Sequence, residues 1–335
     1  MEMHKPLTMH AALVTRYGAP EVVRVGEVLR PTPGQGELLV RVKTASVSSG
    51  DARVRARRVP TGMGFLMRLA LGWNGPRKPV LGTDCAGVVE AIGPGVTRFR
   101  VGDAVVAFPG TAMGAHAGYM CVHEDGPVAP KPVSLSWAEA SSLLFGGTTA
   151  LHYLRHAAAV KPGERVLVLG ASGAVGSAAV QLARHLGAEV TAVCSAANAS
   201  LVTDLGATRV MDYAHEDFTR DAARWDVVMD CVGVTDYARC RGVLAPGGRL
   251  VRVECGLAGQ LAAPFQGRGA GHRVIAGVAA ERPEDVRFLA ELAREGVLRP
   301  VVDTALPLAR IADAHARVDS GRKRGSVVVV LDAEA

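Results

Sequence analysis

The apolar positions change rhythm twice along the chain. Up to about residue 130 they fall in short runs: "HAALVTRYG", "EVVRVGEVLRP", "GELLVRVKTASV", "DCAGVVEAIG", "GDAVVAFPG" and "AGYMCVHE". Gly and Pro bound these runs, which predicts β-strands. Strands without long helices between them predict a compact, barrel-like β domain. Around Pro132 the spacing turns helical in "SLSWAEASSLLFGGTTALHYLRHAA". Ser134 or Ser136 can cap that helix, and "SWAE" matches a capping box. After "VKPGE" come "RVLVLG", "AEVTAVC", "TRVMDY", "WDVVMDCVG", "GRLVRVEC" and "HRVIAGV", alternating with helical segments. Continuous apolar strands between helices predict a parallel sheet covered on both faces. The tail from Arg299 to Asp332 reads as strand-helix-strand and is expected to return to the first domain.

Length and composition fit this division. A chain of 335 residues exceeds one ordinary core, so two domains are expected. The change of rhythm puts one domain at residues 1–130, completed by about 281–335, and the other at 131–280. Apolar residues make up 49% and charged ones 21%, which places the chain among globular proteins. The net charge is +6, but Arg is spread along the chain, so no nucleic-acid partner is expected. Six cysteines show no CxxC pair or metal-like spacing and read as buried thiols. No stretch reaches transmembrane length and the N-terminus lacks an apolar leader, so a cytoplasmic protein with no membrane partner is expected. One segment, Arg55 to Pro79, mixes Met, Leu, Phe and Trp with Arg and Gly. It reads equally as a lid over an apolar substrate and as a surface packed on its own domain or a partner.

The most informative stretch is "RVLVLGASGAVGSAAVQLARHLGAEV". Gly170, Gly173 and Gly176 give G-x-x-G-x-x-G, with Ala171 where the dinucleotide fingerprint has a glycine. Gly170 to Gly176 (with Ala171, Ser172, Ala174 and Val175 between the glycines) lie between a buried strand and a helix expected from near Gly176 to about His185. Glycines permit the sharp turn and the close approach of a pyrophosphate, and the helix start offers free N–H groups.

These residues, with "LGATRVMDYAHEDF", "LGTDCAGVVEAIGPGVTRFRVGDAVVAF" and "EASSLLFGGTTALHYL", resemble the medium-chain dehydrogenase/reductase superfamily. They are similar to its zinc-independent, quinone oxidoreductase-like branch, nearly end to end. The resemblance implies an α/β protein: a GroES-like β-barrel domain plus a Rossmann domain with a doubly wound parallel sheet. It also implies a homodimer joined at Rossmann sheet edges, for which "HRVIAGV" is the candidate edge.

Zinc-dependent relatives carry a Cys near the position of "SSGD" and a His-Glu pair after "LG". This chain has Ser48 to Asp51 and "GTDCAG" there, with Cys85 and His116 as strays and no third ligand. No zinc is therefore expected. The resemblance places "SVSSGD" and "GGTTA" beside the nicotinamide. Relatives often have Asn-Pro where Ser48, Ser49 and Gly50 stand. Ser48, Ser49 and Thr149 are the candidate substrate contacts. Tyr17, in a loop near the cleft, is a candidate donor. His116 and Tyr119 are weaker candidates, and Asp51 reads as structural. A hydroxyl such as that of Thr149 can instead bond back within its helix.

For the cofactor, Ser195 falls about twenty residues after the glycine loop, where the ribose is read. No carboxylate stands there, which permits NADPH, with NADH possible. Ser195 and Asn198 can donate to a 2′-phosphate, and Tyr213 with Lys323 or Arg324 can compensate for an Arg absent near Ala197. Thr148, Cys231, Val232 and Gly233 complete the expected cofactor-binding set. The leading expectation is an NAD(P)H-dependent reductase of a small apolar quinone, enone or other activated carbonyl. A zinc-independent alcohol or aldehyde oxidoreductase and a non-catalytic NADPH-binding protein are the alternatives.

Overall fold

A computed structural model describes residues 7–58 and 72–331. Most of the lid-or-interface segment, 59–71, lies outside the described residues. Two large sheets carry the fold. The N-terminal one is built from β3 (Glu37–Val47), β4 (Cys85–Ile92), β5 (Ala104–Ala107), β6 (Tyr119–His123) and β7 (Val128–Pro130). A separate antiparallel pair, β1 (Thr8–Val14) and β2 (Val23–Leu29), precedes it. Helix α1 (Ser49–Ala56) follows β3 directly. The strand at Val128–Pro130 is too short to show a period, and the sequence pattern misses it.

The long helical stretch of the sequence is in fact α2 (Trp137–Ser141), α3 (Leu144–Leu151) and a wider π turn over His152–Ala157. The break has a local cause. Both Ser141 and Ser142 turn their hydroxyls back onto the Ala138 carbonyl, at 3.2 and 2.8 Å. Such back-bonding competes with the helix ladder. The freed Phe145 N–H then donates to Asp84 Oδ2 at 3.0 Å. Ser136 is the cap of α2: its hydroxyl accepts from Glu139 N while the Glu139 carboxylate accepts from Ser136 N. Ser136→Ala is expected to cost about 1 kcal/mol in urea unfolding. A loss no larger than that of Ser134→Ala would show that the cap carries no stability.

The second sheet contains β8 (Arg165–Leu169), β9 (Glu189–Cys194), β10 (Arg209–Asp212), β11 (Trp225–Asp230), β12 (Leu244–Arg252) and β13 (Arg273–Ala276). Its order is β10-β9-β8-β11-β12-β13, every pairing is parallel, and the direction of winding reverses beside β8. A ligand crevice opens at the carboxyl ends of the strands at such a reversal. Helix α4 (Ala174–His185) follows β8, starting two residues before the expected Gly176 because Gly173 takes the N-cap. Helix α5 (Pro283–Arg294) packs on α3 and β7.

The tail gives β14 (Val302–Pro307), α6 (Ile311–Asp319) and β15 (Ser326–Val330). β15 pairs antiparallel with β3, Val327 opposite Val47, so the chain's end lies in the N-terminal sheet. Fully buried Arg55 of α1 donates to Gly18 O at 3.0 Å and pairs with Asp319 of α6. The tail also touches the glycine loop: Gly325 N donates to Ser172 O at 2.8 Å.

Candidate active site

The glycine loop is shaped by what its glycines lack. Gly170 has φ +74°, which favours glycine. A Cβ on Gly176 would lie 2.2 Å from Gly170 O and 2.7 Å from Ala171 Cα, so the first turn of α4 rests directly on the loop. Gly173 caps α4 without any side-chain hydrogen bond, which leaves the first N–H groups of a 12-residue helix to the crevice. This cradle fits a pyrophosphate.

Around it stand the expected ribose readers. Asn198 Nδ2 donates to Ser172 Oγ at 3.1 Å and to Ser195 Oγ at 3.2 Å. Both serine oxygens thus act as acceptors, which leaves their own protons free to donate. Tyr213 is exposed, beside the end of β9. Lys323 Nζ donates to Gly325 O at 2.6 Å, within the tail loop that Gly325 ties to Ser172. Burial lowers its ammonium to about 8, partly offset by Asp303. A desolvated cation of this kind gains from an anion brought beside it. Arg324 is exposed, with its backbone N–H on Asp303.

Beside the loop a cavity of about 730 Å³ opens between the two sheets. Helix α1 gives it Ser49 and Gly50, and α3 gives Phe145, Thr148 and Thr149. The ends of β11 and β12 give Cys231, Val232, Gly233 and Arg252. Phe108, Met113 and Val278 add apolar wall. Two polar contacts span the cleft. Arg53 Nη2 meets Glu254 Oε2 at 2.6 Å, and Thr111 N donates to Glu281 Oε1 at 2.7 Å. Tyr153 closes one side; its hydroxyl donates to Gly277 O at 2.7 Å, and burial pushes it up to about 12.

The structure separates the candidate substrate contacts. Ser49 lines the cavity, and its hydroxyl has no partner among the described residues. Thr149 also lines it, but its hydroxyl donates to Phe145 O at 2.8 Å; Thr148 does the same to Leu144 O at 2.7 Å. Ser48 is 4% exposed and caps α1, giving its proton to Asp51 Oδ2 at 2.6 Å. Asp51 in turn accepts from Ser48 N and Gly82 N, at 2.8 and 2.9 Å. The substrate contact expected of Ser48 is therefore corrected to a helix cap. Tyr17 is likewise corrected: it does not line the cavity, and its hydroxyl donates to Gly72 O at 3.0 Å. His116 is buried with Nε2 at 2.8 Å from Ser46 O, and Cys85 Sγ lies 3.4 Å from Met120 Sδ. Among the described residues no three His, Cys, Asp or Glu side chains are grouped to hold a metal ion. No helix among them is long and apolar enough to cross a membrane.

Sequence reasoning missed Arg53, Arg252, Glu254 and Glu281. A signal existed for Arg252: a charge at the carboxyl end of an apolar parallel strand, where sites of such sheets lie. Arg53 and Glu281 reach the cleft from elements whose placement only the fold defines.

Known proteins agree with this geometry. The alcohol dehydrogenase GroES-like domain family matches residues 34–133, and the zinc-binding dehydrogenase family matches 205–329. A chloroplastic quinone-oxidoreductase, QR1, of Triphysaria versicolor is 30% identical, with 90% of this chain and 92% of that one covered. Among solved structures, the quinone oxidoreductase from Coxiella burnetii is 27% identical with a TM-score of 0.85, covering 97% of this chain and all of that one. An NAD-dependent alcohol dehydrogenase is 29% identical with a TM-score of 0.82, covering 97% and 100%. Glycine loop, sheet order, cleft and relatives converge: this chain is an oxidoreductase of the medium-chain dehydrogenase/reductase superfamily, in its quinone oxidoreductase-like branch.

Proposed function

We propose that the chain is an NAD(P)H-dependent reductase that delivers hydride to a quinone, enone or other activated carbonyl without zinc. The observation that carries this reading is the glycine cradle at the sheet reversal, opening beside a largely apolar cavity between the two sheets. When bound, the nicotinamide cofactor supplies the hydride. Gly170 to Gly176 and the start of α4 hold its pyrophosphate. Thr148, Cys231, Val232 and Gly233 border its reacting end. Phe108, Phe145 and Met113 exclude water and hold the flat body of the acceptor. Hydride arriving at the far end of a conjugated carbonyl leaves negative charge on oxygen. Ser49 Oγ, at the N-terminal end of α1, donates to that oxygen. Thr149 serves as a second contact only by giving up its bond to Phe145 O.

A modest preference for NADPH follows from Ser172, Ser195 and Asn198, with Lys323, Arg324 and Tyr213 at the rim. Pairing of β13, an edge strand of its sheet, with a second copy would give a homodimer. The test is NADPH oxidation with a panel of quinones and enones, with and without excess chelator. Turnover that survives chelation and a smaller Kd for NADPH than for NADH are expected. NADPH binding without oxidation by any acceptor would leave a non-catalytic binding protein. Activity lost in chelator and restored by zinc would overturn the metal-free reading.

A further inference from the structure

Among the described residues, the charged side chains that line the cavity are all held except one. Glu254 is paired with Arg53, and Glu281 accepts from the backbone and hydroxyl of Thr111. Arg58 at the rim lies 3.4 Å from Asp319. Arg252 lines the same cavity half-buried, yet it has no hydrogen bond or ion pair among the described residues. Its Nε is buried without a partner. Holding the Nε of a guanidinium out of water with nothing to accept from it costs stability. A side chain retained only for packing would not need that charge.

The position of Arg252 separates it from the pyrophosphate cradle. Leu169, the last residue before the glycine loop, pairs with Asp230, and Asp230 pairs with Arg252. The three lie in one row across β8, β11 and β12. Adjacent strands are about 4.8 Å apart, so Arg252 stands about 10 Å along the sheet from the cradle. It lies past Val232 and Gly233, on the side of the reacting end. Val253 and Val278 give the cavity apolar wall, and the two carboxylates that line it, Glu254 and Glu281, are held by Arg53 and Thr111. Low dielectric makes a charge-assisted bond there stronger than on an open surface.

We propose that Arg252 anchors a carboxylate on the substrate, so that the preferred acceptor is an apolar conjugated carbonyl compound carrying an acid group. The guanidinium fork takes the carboxylate and the apolar wall takes the body, which presents the conjugated system to Ser49 and to the bound cofactor. This names the substrate class of the reductase site and rests on that reading.

The test compares β-benzoylacrylate with its methyl ester, which differ in the charge and one methyl group. Wild-type protein should show a higher kcat/KM for the acid. In Arg252→Met the acid-to-ester ratio of kcat/KM should fall about ten-fold or more, chiefly through KM. Arg252→Lys should recover part of it, since an ammonium keeps the charge but not the fork. A ratio unchanged in Arg252→Met overturns the proposal, as does a variant whose main defect is a weaker Kd for NADPH. Calorimetry of both compounds with the NADP⁺ complex reads the same anchor without turnover. Preferential binding of the acid, lost in Arg252→Met, supports the anchor even where no acceptor is reduced. In that case the reductase reading alone falls. Equal binding of acid and ester in the wild type overturns the anchor alone.

Discussion

Gly176→Ala is expected to destabilise the protein by about 3 kcal/mol or more and to abolish measurable NADPH binding. The added Cβ would meet Gly170 O at 2.2 Å and Ala171 Cα at 2.7 Å, both backbone atoms with no rotamer to escape into. Either the loop lifts off β8 or α4 moves away, and each change dismantles the cradle. Gly173→Ala is the informative partner. Its Cβ meets only Gly170 O, at 3.5 Å, and its φ of −76° suits any residue. The fold should accept it within about 1 kcal/mol, while the methyl group narrows the approach to the α4 N–H groups and raises the Kd for NADPH. Urea unfolding and a fluorescence titration separate the effects. Equal stability of Gly176→Ala and wild type would show that the loop is not held by that contact.

The glycine spacing was legible in the sequence because it is local: strand, turn and helix are consecutive, and Gly173 and Gly176 both answer to Gly170, while only Gly170 itself answers to a distant residue, Val232. The parallel sheet, though not its strand order, was legible through the alternation of buried strands and helices. The cavity was less so. Thr148 and Thr149 were found by their place after "GG", but whether a hydroxyl faces ligand or its own helix is decided by atoms. Ser48 and Ser49 are adjacent in sequence and opposite in fate: one caps α1, the other faces the cavity. Only the angle at which β3 turns into α1 distinguishes them. Arg252 was passed over because one of three charges in "RLVRVEC" looks like ordinary strand alternation until the neighbours on both sides are known.

Asp84→Asn is expected to remove a stability loss that the wild type suffers as pH rises toward neutrality. Asp84 is fully buried where β4 begins, with the Ser46 hydroxyl donating to Oδ1 and Phe145 N donating to Oδ2. Burial raises its carboxyl to about 7, against these two hydrogen bonds; Asp51 raises it slightly further. A raised carboxyl value means that the folded state holds a proton which the unfolded chain has already released. Its contribution is therefore fully present below the ordinary carboxylate value near 4. It is lost as pH climbs through about 7, at up to about 1.4 kcal/mol per unit. Summed over that window the loss reaches about 4 kcal/mol. Asp303 and Glu164, held low by Arg317 and Arg249, act in the opposite sense only in acid, and His315 and His152, held low by burial, oppose it below the ordinary imidazole value near 6.5; these groups are common to wild type and variant, so the difference between the two profiles reads Asp84. Urea midpoints between pH 5 and pH 8 should fall more steeply for wild type than for Asp84→Asn, with the variant the more stable at the upper end. Parallel profiles would show that Asp84 does not titrate there. The consequence reaches the site, because Asp84 holds the first turn of α3, and α3 presents Phe145, Thr148 and Thr149 to the cavity. An ionised Asp84 is a charge that this turn must solvate in place of water. The same substitution should therefore flatten any alkaline rise in KM, and a KM profile unaltered by it would confine Asp84 to stability.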